Sequence, residues 1–306
     1  MKIRLATEGP LDVPATLARY RLWGEDPANR FDGQAFRRIL RVGGCCVPYE
    51  VRWTGPIEAM RLDVVAPGAR GHRVRDGIVR EVRTIFGLDF DLPGFYRMAK
   101  ADPALAGLVE PLYGLRPTLT PSPLEMLVGA ITAQQLNLTF AFTLRARLVR
   151  RYGTAVDCGG TTIWAFPTAD ALAAAPLRTL RAMQYSTNKA IAIRGAARAF
   201  RTGTLTADNL ETETDTGVIQ RLTALYGLGR WTADWFLARC LGRGAVCPAG
   251  DLAVRKAFVH YYGRGRLLTE NAIRRRARAW GEFQNLAVHY LLAGMRLARP
   301  KIGGAA

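Results

Sequence analysis

The chain has 306 residues, 49% of them hydrophobic, and this length predicts about two globular domains. Lysine and arginine number 43 against 25 acidic residues, and the formal charge of +18 favours a polyanionic partner such as nucleic acid. Only five of these basic residues are lysines, so a general bias towards arginine is an alternative explanation of the excess. No apolar run is long enough for a signal peptide or a membrane span, so we expect a cytoplasmic protein.

The cysteines and histidines do not form a recognisable metal or disulfide pattern. The five cysteines include no C-x-x-C pair, and the three histidines are widely separated along the chain. Zinc sites need closely spaced ligands, and disulfide frameworks need paired cysteines. We therefore expect neither a zinc enzyme nor a disulfide-stabilised domain.

The first 90 residues alternate short apolar stretches with turn signals. Three stretches rich in β-branched and aromatic residues are separated by glycine and proline pairs, and two helical stretches accompany them. The predicted strands are Ile39 to Val42, Cys46 to Trp53 and Met60 to Ala66, and the predicted helices are Val13 to Leu22 and Gly77 to Phe86. This pattern predicts an α+β domain with an antiparallel sheet over residues 1–88.

From about residue 90 onward the apolar residues recur at helical spacing. The predicted helices are Ser122 to Val128, Asn137 to Tyr152, Thr168 to Ala174, Leu177 to Met183, Ser186 to Arg201, Asp215 to Leu225, Trp231 to Leu241, Leu252 to Tyr262 and Thr269 to Leu297. We therefore predict a two-lobed, all-helical region over 89–306. One lobe covers about 122–243, and the other covers about 89–121 together with 244–306.

Two glycines, Gly227 and Gly229, stand between two of these helices. A tight reversal there needs positive φ and a backbone without side chains, and it exposes amide N–H groups at the start of the next helix. Such amides bind a DNA phosphate well, aided by the helix dipole and by Arg230. An ordinary packing corner between two helices is the alternative for a lone G-x-G.

One aspartate follows the second helix of this hairpin. A Gly/Pro loop, 242–250, precedes Asp251, and a further helix follows it. Asp251 is suited to capping that helix, which contributes about 1 kcal/mol. It would also lie at the mouth of a cleft between helices, where a carboxylate has catalytic uses.

These elements together resemble a known family. The segments Leu222-x-x-Leu-x-Gly-x-Gly-x-Trp-Thr-Ala233 and Cys247-Pro-Ala-Gly-Asp251 are similar to the signature of the helix-hairpin-helix, Gly/Pro-rich-loop-aspartate DNA glycosylases. The upstream run Ile131-Thr-Ala-Gln-Gln-Leu-Asn137 resembles an element of the AlkA-like branch, the 3-methyladenine DNA glycosylase II type. The resemblance extends from about Leu88 to about Leu292.

The resemblance implies a set of site residues. Asp251 is the expected catalytic carboxylate, and the expected walls of the base pocket are Trp231, Trp235, Leu252 and Leu292. Gly227, Gly229, Arg230 and Thr232 are expected to hold the DNA backbone. Gln134, Gln135 and Leu136 are expected at the tip that enters the minor groove, with Gln135 as the wedge. Helix-end capping by the two glutamines and simple core packing of the two tryptophans are the alternatives.

The implied reaction is excision of an alkylated base, of the 3-methyladenine or 7-methylguanine type, from double-stranded DNA. The base is extruded from the stack, and Asp251 stabilises the positive charge that develops on the sugar or activates the attacking water. Family members that also cut the strand carry a lysine nucleophile where this chain has Trp231. We therefore expect a monofunctional hydrolase.

Several positions depart from the family pattern. Tyr226 replaces the usual proline before the hairpin, which alters only the stiffness of the turn, and Gly281-Glu-Phe-Gln-Asn285 stands where W-R-P-[WY]-R-S is common. Leu292 stands where a pocket tryptophan is common, and the loss of that indole leaves the substrate range open. The resemblance further implies a bacterial, nucleoid-associated monomer without a metal centre or cofactor, apart from a monovalent cation at the hairpin carbonyls. A non-catalytic DNA-damage sensor and a bifunctional oxidised-purine glycosylase remain as alternative functions.

Overall fold

The computed structural model describes residues 1–158, 160–263 and 265–297, and its N-terminal part is built on an antiparallel sheet. The three predicted strands are confirmed, and two more flank them. In the sheet order β1-β5-β4-β3-β2, the strands are β1 (Lys2–Ala6), β2 (Arg30–Phe31), β3 (Phe36–Val42), β4 (Cys45–Thr54) and β5 (Arg61–Val65).

The tightest connection of this sheet joins β3 to β4 through Gly43 and Gly44. Both glycines have positive φ, 56° and 77°, as a two-residue hairpin turn requires. The turn sets a register that pairs Leu40 with Val47 and Phe36 with Val51. Phe36 and Val51 are thereby buried on the same face of the sheet.

Three helices pack on this sheet: α1 (Val13–Leu17), α2 (Arg19–Leu22) and α3 (His72–Ile85). The single helix predicted over Val13 to Leu22 is thus two short helices that meet at Ala18. The helix predicted from Gly77 begins five residues earlier, at His72, because the glycine at position 71 with φ 85° precedes its first turn.

The remainder of the chain is mostly helical, and most of the predicted helices are confirmed. The helices are α4 (Leu92–Ala99), α5 (Pro103–Val109), α6 (Pro123–Ala133), α7 (Leu138–Tyr152), α8 (Ala169–Ala173), α9 (Leu177–Ala182), α10 (Thr187–Arg201), α11 (Ala207–Glu211), α12 (Asp215–Thr223), α13 (Arg230–Arg239), α14 (Leu252–Tyr262), α15 (Glu270–Ala277) and α16 (Gln284–Leu297).

The prediction of one continuous helix over Thr269 to Leu297 is wrong. A 3₁₀ segment, Arg278–Phe283, separates α15 from α16, and Gly281 within it has φ 53°. Trp280 anchors this break, since its ring is buried and its Nε1 donates to Asp102 Oδ2 at 3.0 Å. The ring also packs against Phe258 and Tyr262 of α14, at centroid distances of 5.6 and 6.1 Å.

The prediction that residues 89–306 are entirely helical is also wrong. A β-hairpin of β6 (Thr154–Cys158) and β7 (Thr161–Ala165) follows α7. Ile163 is buried against Ile39 of β3, and Arg41 of the same strand donates to the Phe166 carbonyl at 3.2 Å. The alternating side chains of β7 thus obtain a buried face from the N-terminal sheet rather than from the helices.

The buried side chains form three main clusters. One lies beneath the N-terminal sheet. A second is formed almost entirely by residues between 124 and 246, and a third by residues 92–115 together with 247–293. Trp235 of α13 packs against both helical clusters, so this helix lies where they meet. The predicted domain boundaries stay a prediction.

A buried ionic network joins the sheet to α6 and α7. The Glu125 carboxylate accepts from Arg38 Nη2 and Arg145 Nη2, each at 2.7 Å, and from Asn29 Nδ2 at 2.9 Å. Arg145 also donates to Asp26. Burial by itself would raise the pKa of Glu125, but the two guanidinium charges outweigh it and lower the pKa to about 2.

Among the described helices, none is both long and apolar enough to cross a bilayer.

Candidate active site

Asp251 is held at the N-terminus of α14 by four N–H donors. Its Oδ1 accepts from the backbone amides of Ala253 at 2.8 Å and Val254 at 3.1 Å, which is the geometry of a helix cap. Its Oδ2 accepts from the indole N–H of Trp231 at 2.8 Å and of Trp235 at 3.1 Å. The predicted proximity of the two tryptophans to Asp251 is confirmed, and the capping role coexists with it.

The spacing of the two tryptophans explains this arrangement. Trp231 and Trp235 lie four residues apart on α13, so both side chains project from one face of that helix. Both are half-buried, as is Asp251. The carboxylate is therefore fixed at a partly solvent-accessible position rather than in the core.

The loop that carries Asp251 is braced from α15 and α16. The Asp251 amide donates to the Pro248 carbonyl at 3.0 Å, and Arg274 of α15 donates to the Cys247 carbonyl at 3.2 Å. Asn285 of α16 donates to the carbonyls of Ala238 and Arg243, at 2.9 and 3.1 Å. These contacts hold both ends of the Gly/Pro loop.

A buried carboxylate connects this loop to the start of α13. Asp234 is 2% exposed, and its two oxygens accept from Arg230 Nε and Arg274 Nη2, each at 2.7 Å. Because Arg274 also contacts the Cys247 carbonyl, Asp234 couples the hairpin to the loop that carries Asp251. The sequence interpretation missed Asp234, Arg274 and Asn285; the i,i+4 spacing of Arg230 and Asp234 was the only local signal.

The two hairpin glycines have different conformations. Gly227 has φ 79°, and a Cβ there would lie 2.8 Å from Ala192 Cβ, so the expected need for glycine is confirmed. Gly229 has φ −107° and ψ −177°, which is extended backbone that any residue adopts. The expectation of positive φ at Gly229 is therefore wrong, because the chain completes its reversal before this residue.

Gly229 instead leaves the start of α13 open. It occupies the capping position without a side-chain hydrogen bond, and a Cβ there would meet no atom within 4 Å. The first amides of a helix have no intrahelical acceptor, and no N-cap side chain accepts from those of α13. Arg230 is 54% exposed, and its Nε is engaged by Asp234.

Thr232 is buried, unlike the other residues expected at the DNA backbone. Its hydroxyl accepts from Gln134 Nε2 at 3.3 Å, and the residue is fully shielded from solvent. Thr232 therefore presents no surface to DNA in this structure, and its expected contact with the DNA backbone stays a prediction.

The three residues expected at the minor-groove tip form a turn between α6 and α7. Gln135 is exposed and has φ 55°, a left-handed conformation that is unfavourable for a residue with a Cβ. Gln134 is turned the other way and donates to the Gly227 carbonyl at 2.9 Å. Leu136 is partly buried against the core cluster of α6 and α7. Gln135 is thus the most projecting of the three.

The expected pocket leucines lie on different surfaces. Leu252 follows Asp251 directly and is 64% exposed. Leu292 is half-buried on α16, one turn beyond His289 and on the same face of that helix. Their role as walls of a base pocket stays a prediction.

The guanidinium of Arg239 lies over the ring of Trp235. The Arg239 Cζ lies 5.6 Å from the Trp235 ring centroid, and its Nη2 lies 3.0 Å from His289 Nδ1. Burial, with the charges of Arg19 and Arg296, lowers the pKa of Arg239 to about 9. Burial also lowers the pKa of His289, and the nearby Arg239 charge acts in the same direction. The charge environment of Trp235 on this side is therefore positive.

In the part of the chain that the structure describes, no cluster of three or more His, Cys, Asp or Glu side chains is placed to hold a metal ion.

Comparisons with known proteins agree with this geometry. The model of the HhH-GPD superfamily of base excision DNA repair proteins matches residues 128–282. The chain is 31% identical over 217 residues to DNA-3-methyladenine glycosylase of Bacillus subtilis (strain 168), which covers 71% of this chain and 72% of that protein. It is 29% identical over 171 residues to DNA-3-methyladenine glycosylase 2 of Escherichia coli (strain K12), covering 55% and 56%.

A solved structure is similar over nearly the whole chain. The 3-methyladenine DNA-glycosylase from Archaeoglobus fulgidus superposes with a TM-score of 0.85 at 26% identity and covers 97% of this chain and 99% of that chain. At 25% identity, the 3-methyladenine DNA glycosylase Mag1 of Schizosaccharomyces pombe, solved in complex with abasic DNA, has a TM-score of 0.59 and covers 67% of this chain and 98% of its own.

Proposed function

Because the chain belongs to the HhH-GPD superfamily of base excision DNA repair proteins, in its AlkA-like branch, we propose that it is a monofunctional N-glycosylase that excises alkylated bases from double-stranded DNA. The observation that carries the proposal is the half-buried Asp251 carboxylate, fixed by two helix amides and two indole N–H groups. Relatives with 3-methyladenine glycosylase names support the alkylated-base substrate class.

The geometry favours an electrostatic role for Asp251. Departure of the base leaves positive charge on the deoxyribose, and a preorganised carboxylate stabilises that charge at no reorganisation cost. An ionised carboxylate has about four lone-pair sites, and four N–H donors already address them. Removing a proton from water would require the loss of one of these bonds. We therefore assign charge stabilisation to Asp251. The C1′–N bond breaks and the base leaves with the bonding electrons, water forms the new C1′–O bond, and its surplus proton passes to solvent.

The absence of a strand-cutting step rests on Trp231. A lyase needs an amine that attacks C1′ of the sugar. At the position where bifunctional relatives would carry it, this chain has an indole whose N–H donates to Asp251. We propose that the product is an abasic site.

The start of α13 is proposed to hold a DNA phosphate. Its open amides, the exposed Arg230 and the +18 charge of the chain all favour a polyanionic backbone. A monovalent cation would fit at the hairpin carbonyls: that of Leu225 accepts from the Leu228 amide and retains a second lone pair. Such an ion would add positive charge near the phosphate, and no step of the reaction depends on it.

The side chains around Asp251 bear on which damaged bases the protein prefers. The two indoles favour flat, electron-poor bases such as 3-methyladenine and 7-methylguanine. Arg239 beside Trp235 opposes a cationic base on that side, and Leu292 supplies no aromatic surface. We therefore propose weaker discrimination in favour of cationic purines than a pocket with an additional tryptophan would give.

A lesion-panel assay tests the proposed function. We propose that the protein acts as a monomer. On duplexes that each contain one modified base, it should release free 3-methyladenine or 7-methylguanine, which chromatography detects. The strand should break only after alkali, and borohydride should trap no covalent complex. Binding without release of any base would favour a damage sensor, and trapping would favour a lyase.

A further inference from the structure

Lys189, in the first turn of α10, makes contacts that the proposed reaction has not used. Its Nζ donates to the Thr132 carbonyl at 2.9 Å and to the Gln134 carbonyl at 2.7 Å. These carbonyls lie at the C-terminal end of α6, where helix carbonyls lack an intrahelical donor. A positive charge there also complements the helix dipole.

The segment that Lys189 holds is the turn carrying Gln135. The turn comprises residues 134–137, and α7 begins after it with a side-chain cap from Asn137. Gln135 has φ 55°, a conformation that costs free energy for a non-glycine residue and persists only where the surroundings impose it. Both Lys189 hydrogen bonds are to carbonyls just before Gln135, so they fix the backbone that leads into this residue.

The same part of α10 contacts the hairpin. Asn188 accepts from the Tyr226 hydroxyl at 3.1 Å, and Ala192 packs so closely on Gly227 that a Cβ there would lie 2.8 Å away. Gln134 connects the turn directly to the hairpin, since its side-chain Nε2 donates to the Gly227 carbonyl at 2.9 Å. The turn and the hairpin are therefore both fastened to the first two turns of one helix.

We propose that Lys189 is a positioning residue for base extrusion, which holds the 134–137 turn so that Gln135 projects into the DNA at a fixed distance from the phosphate-binding hairpin. The inference rests on the proposed function. A wedge enters the base stack while the hairpin holds the DNA backbone, so the wedge must be rigidly connected to the hairpin. If the turn could move, the wedge would shift back instead of displacing the base. Lys189 supplies that rigidity without touching the reacting atoms.

The test compares a paired lesion with an unpaired one. Extrusion costs less when the damaged base has no partner, so a residue that assists extrusion matters less there. Lys189→Met should reduce the single-turnover excision rate at least tenfold on a paired lesion and less than threefold on the same lesion opposite an abasic site. Lys189→Arg, which keeps a cation at the carbonyls, should restore most of the paired-lesion rate. Lys100→Met, at an exposed lysine after α4, is the matched control and should leave both rates unchanged.

A fluorescence readout separates this inference from the proposed chemistry. In a duplex with 2-aminopurine at the target position, extrusion unstacks the probe and raises its emission. Lys189→Met should halve this increase or more, at saturating protein and with undamaged-duplex affinity within twofold of the wild type. If the methionine variant is poorly folded, Lys189→Gln, with one remaining donor amide, should give an intermediate increase.

Two results would overturn the inference. One is an equal loss of rate on paired and unpaired lesions, which would point to the chemical step or to general folding. The other is an unchanged 2-aminopurine increase in Lys189→Met. The fluorescence result applies even if the wild type excises none of the tested lesions, an outcome that would defeat the proposed function alone.

Discussion

Replacing Gly227 with alanine should destabilise the hairpin for two distinct reasons, the backbone conformation at this position and the space available for a side chain. The residue has φ 79°, and imposing this left-handed conformation on alanine costs about 1–2 kcal/mol. The new methyl group would also lie 2.8 Å from the Cβ of the buried Ala192, and overpacking of this kind costs about 1–3 kcal/mol. We expect Gly227→Ala to lower the free energy of unfolding by about 3 kcal/mol.

Gly229→Ala is the matched control in the same hairpin. Its φ of −107° suits alanine, and nothing lies within 4 Å of the added Cβ. Loss of stability should be about 1 kcal/mol, which is the difference between glycine and alanine as an N-cap. Affinity for undamaged duplex should nevertheless fall about tenfold, because the methyl group stands where a phosphate approaches the amides.

Urea unfolding followed by circular dichroism, with duplex binding at fixed salt, checks both variants. In the double variant Gly227→Ala with Ala192→Gly, the free energy of unfolding should recover by the amount that overpacking costs. The remaining loss comes from the left-handed conformation of Ala at 227 and from a glycine within α10. A Gly227→Ala protein as stable as the wild type would refute the conformational argument. Full duplex affinity in Gly229→Ala would refute the assignment of the phosphate to these amides.

Further predictions concern the ionic contacts. Glu125→Gln should destabilise the protein by about 3–5 kcal/mol at pH 7, because Arg38 and Arg145 lose their buried partner. The pKa of Glu125 in the folded protein, about 2, lies below its ordinary 4.5, so its contribution to stability is complete above pH 4.5 and is lost as the pH falls towards 2. In urea unfolding, the difference in free energy of unfolding between wild type and variant should narrow over that range. A difference that stays constant would contradict the assignment. Asp234→Asn should slow single-turnover excision about tenfold by loosening the loop that carries Asp251, and an unchanged rate would show that the Asp234 to Arg274 contact is dispensable.

The arrangement around Asp251 was predictable because its signals are local. An i,i+4 pair of tryptophans projects from one helix face, and an aspartate between a Gly/Pro loop and an amphipathic segment is a helix cap. The antiparallel sheet was likewise indicated by alternating strands and paired glycines. In each case the determining interactions lie within about ten residues or follow from a motif whose order is recognisable.

The contacts that brace the site were not predictable in this way. Lys189 meets carbonyls 55 and 57 residues away, and Arg274 meets Asp234 over 40 residues. Such pairs depend on how helices pack, and a lysine on a helix face looks the same whether it is solvated or bound to a turn. The β6–β7 hairpin was missed because its buried face comes from β3, more than 100 residues earlier.

Gly229 shows that spacing alone can mislead. Two glycines in a turn suggested two positive φ values, but one left-handed residue completes the reversal. Gly229 remains suited to the site for a different reason, the open space over the helix N-terminus.

The central claim is that the charge of Asp251 stabilises the departing sugar. The direct test is the single-turnover release of a free alkylated base by Asp251→Asn, with protein in excess over duplex and binding of that duplex measured in parallel. Asparagine keeps the size of the side chain and can still cap α14 through its carbonyl oxygen, while its NH2 group replaces the oxygen that accepts from the two indoles. We predict at least a hundredfold slower release, about 2.7 kcal/mol of barrier, with duplex affinity within about threefold of the wild type. Base release at the wild-type rate would contradict the mechanism.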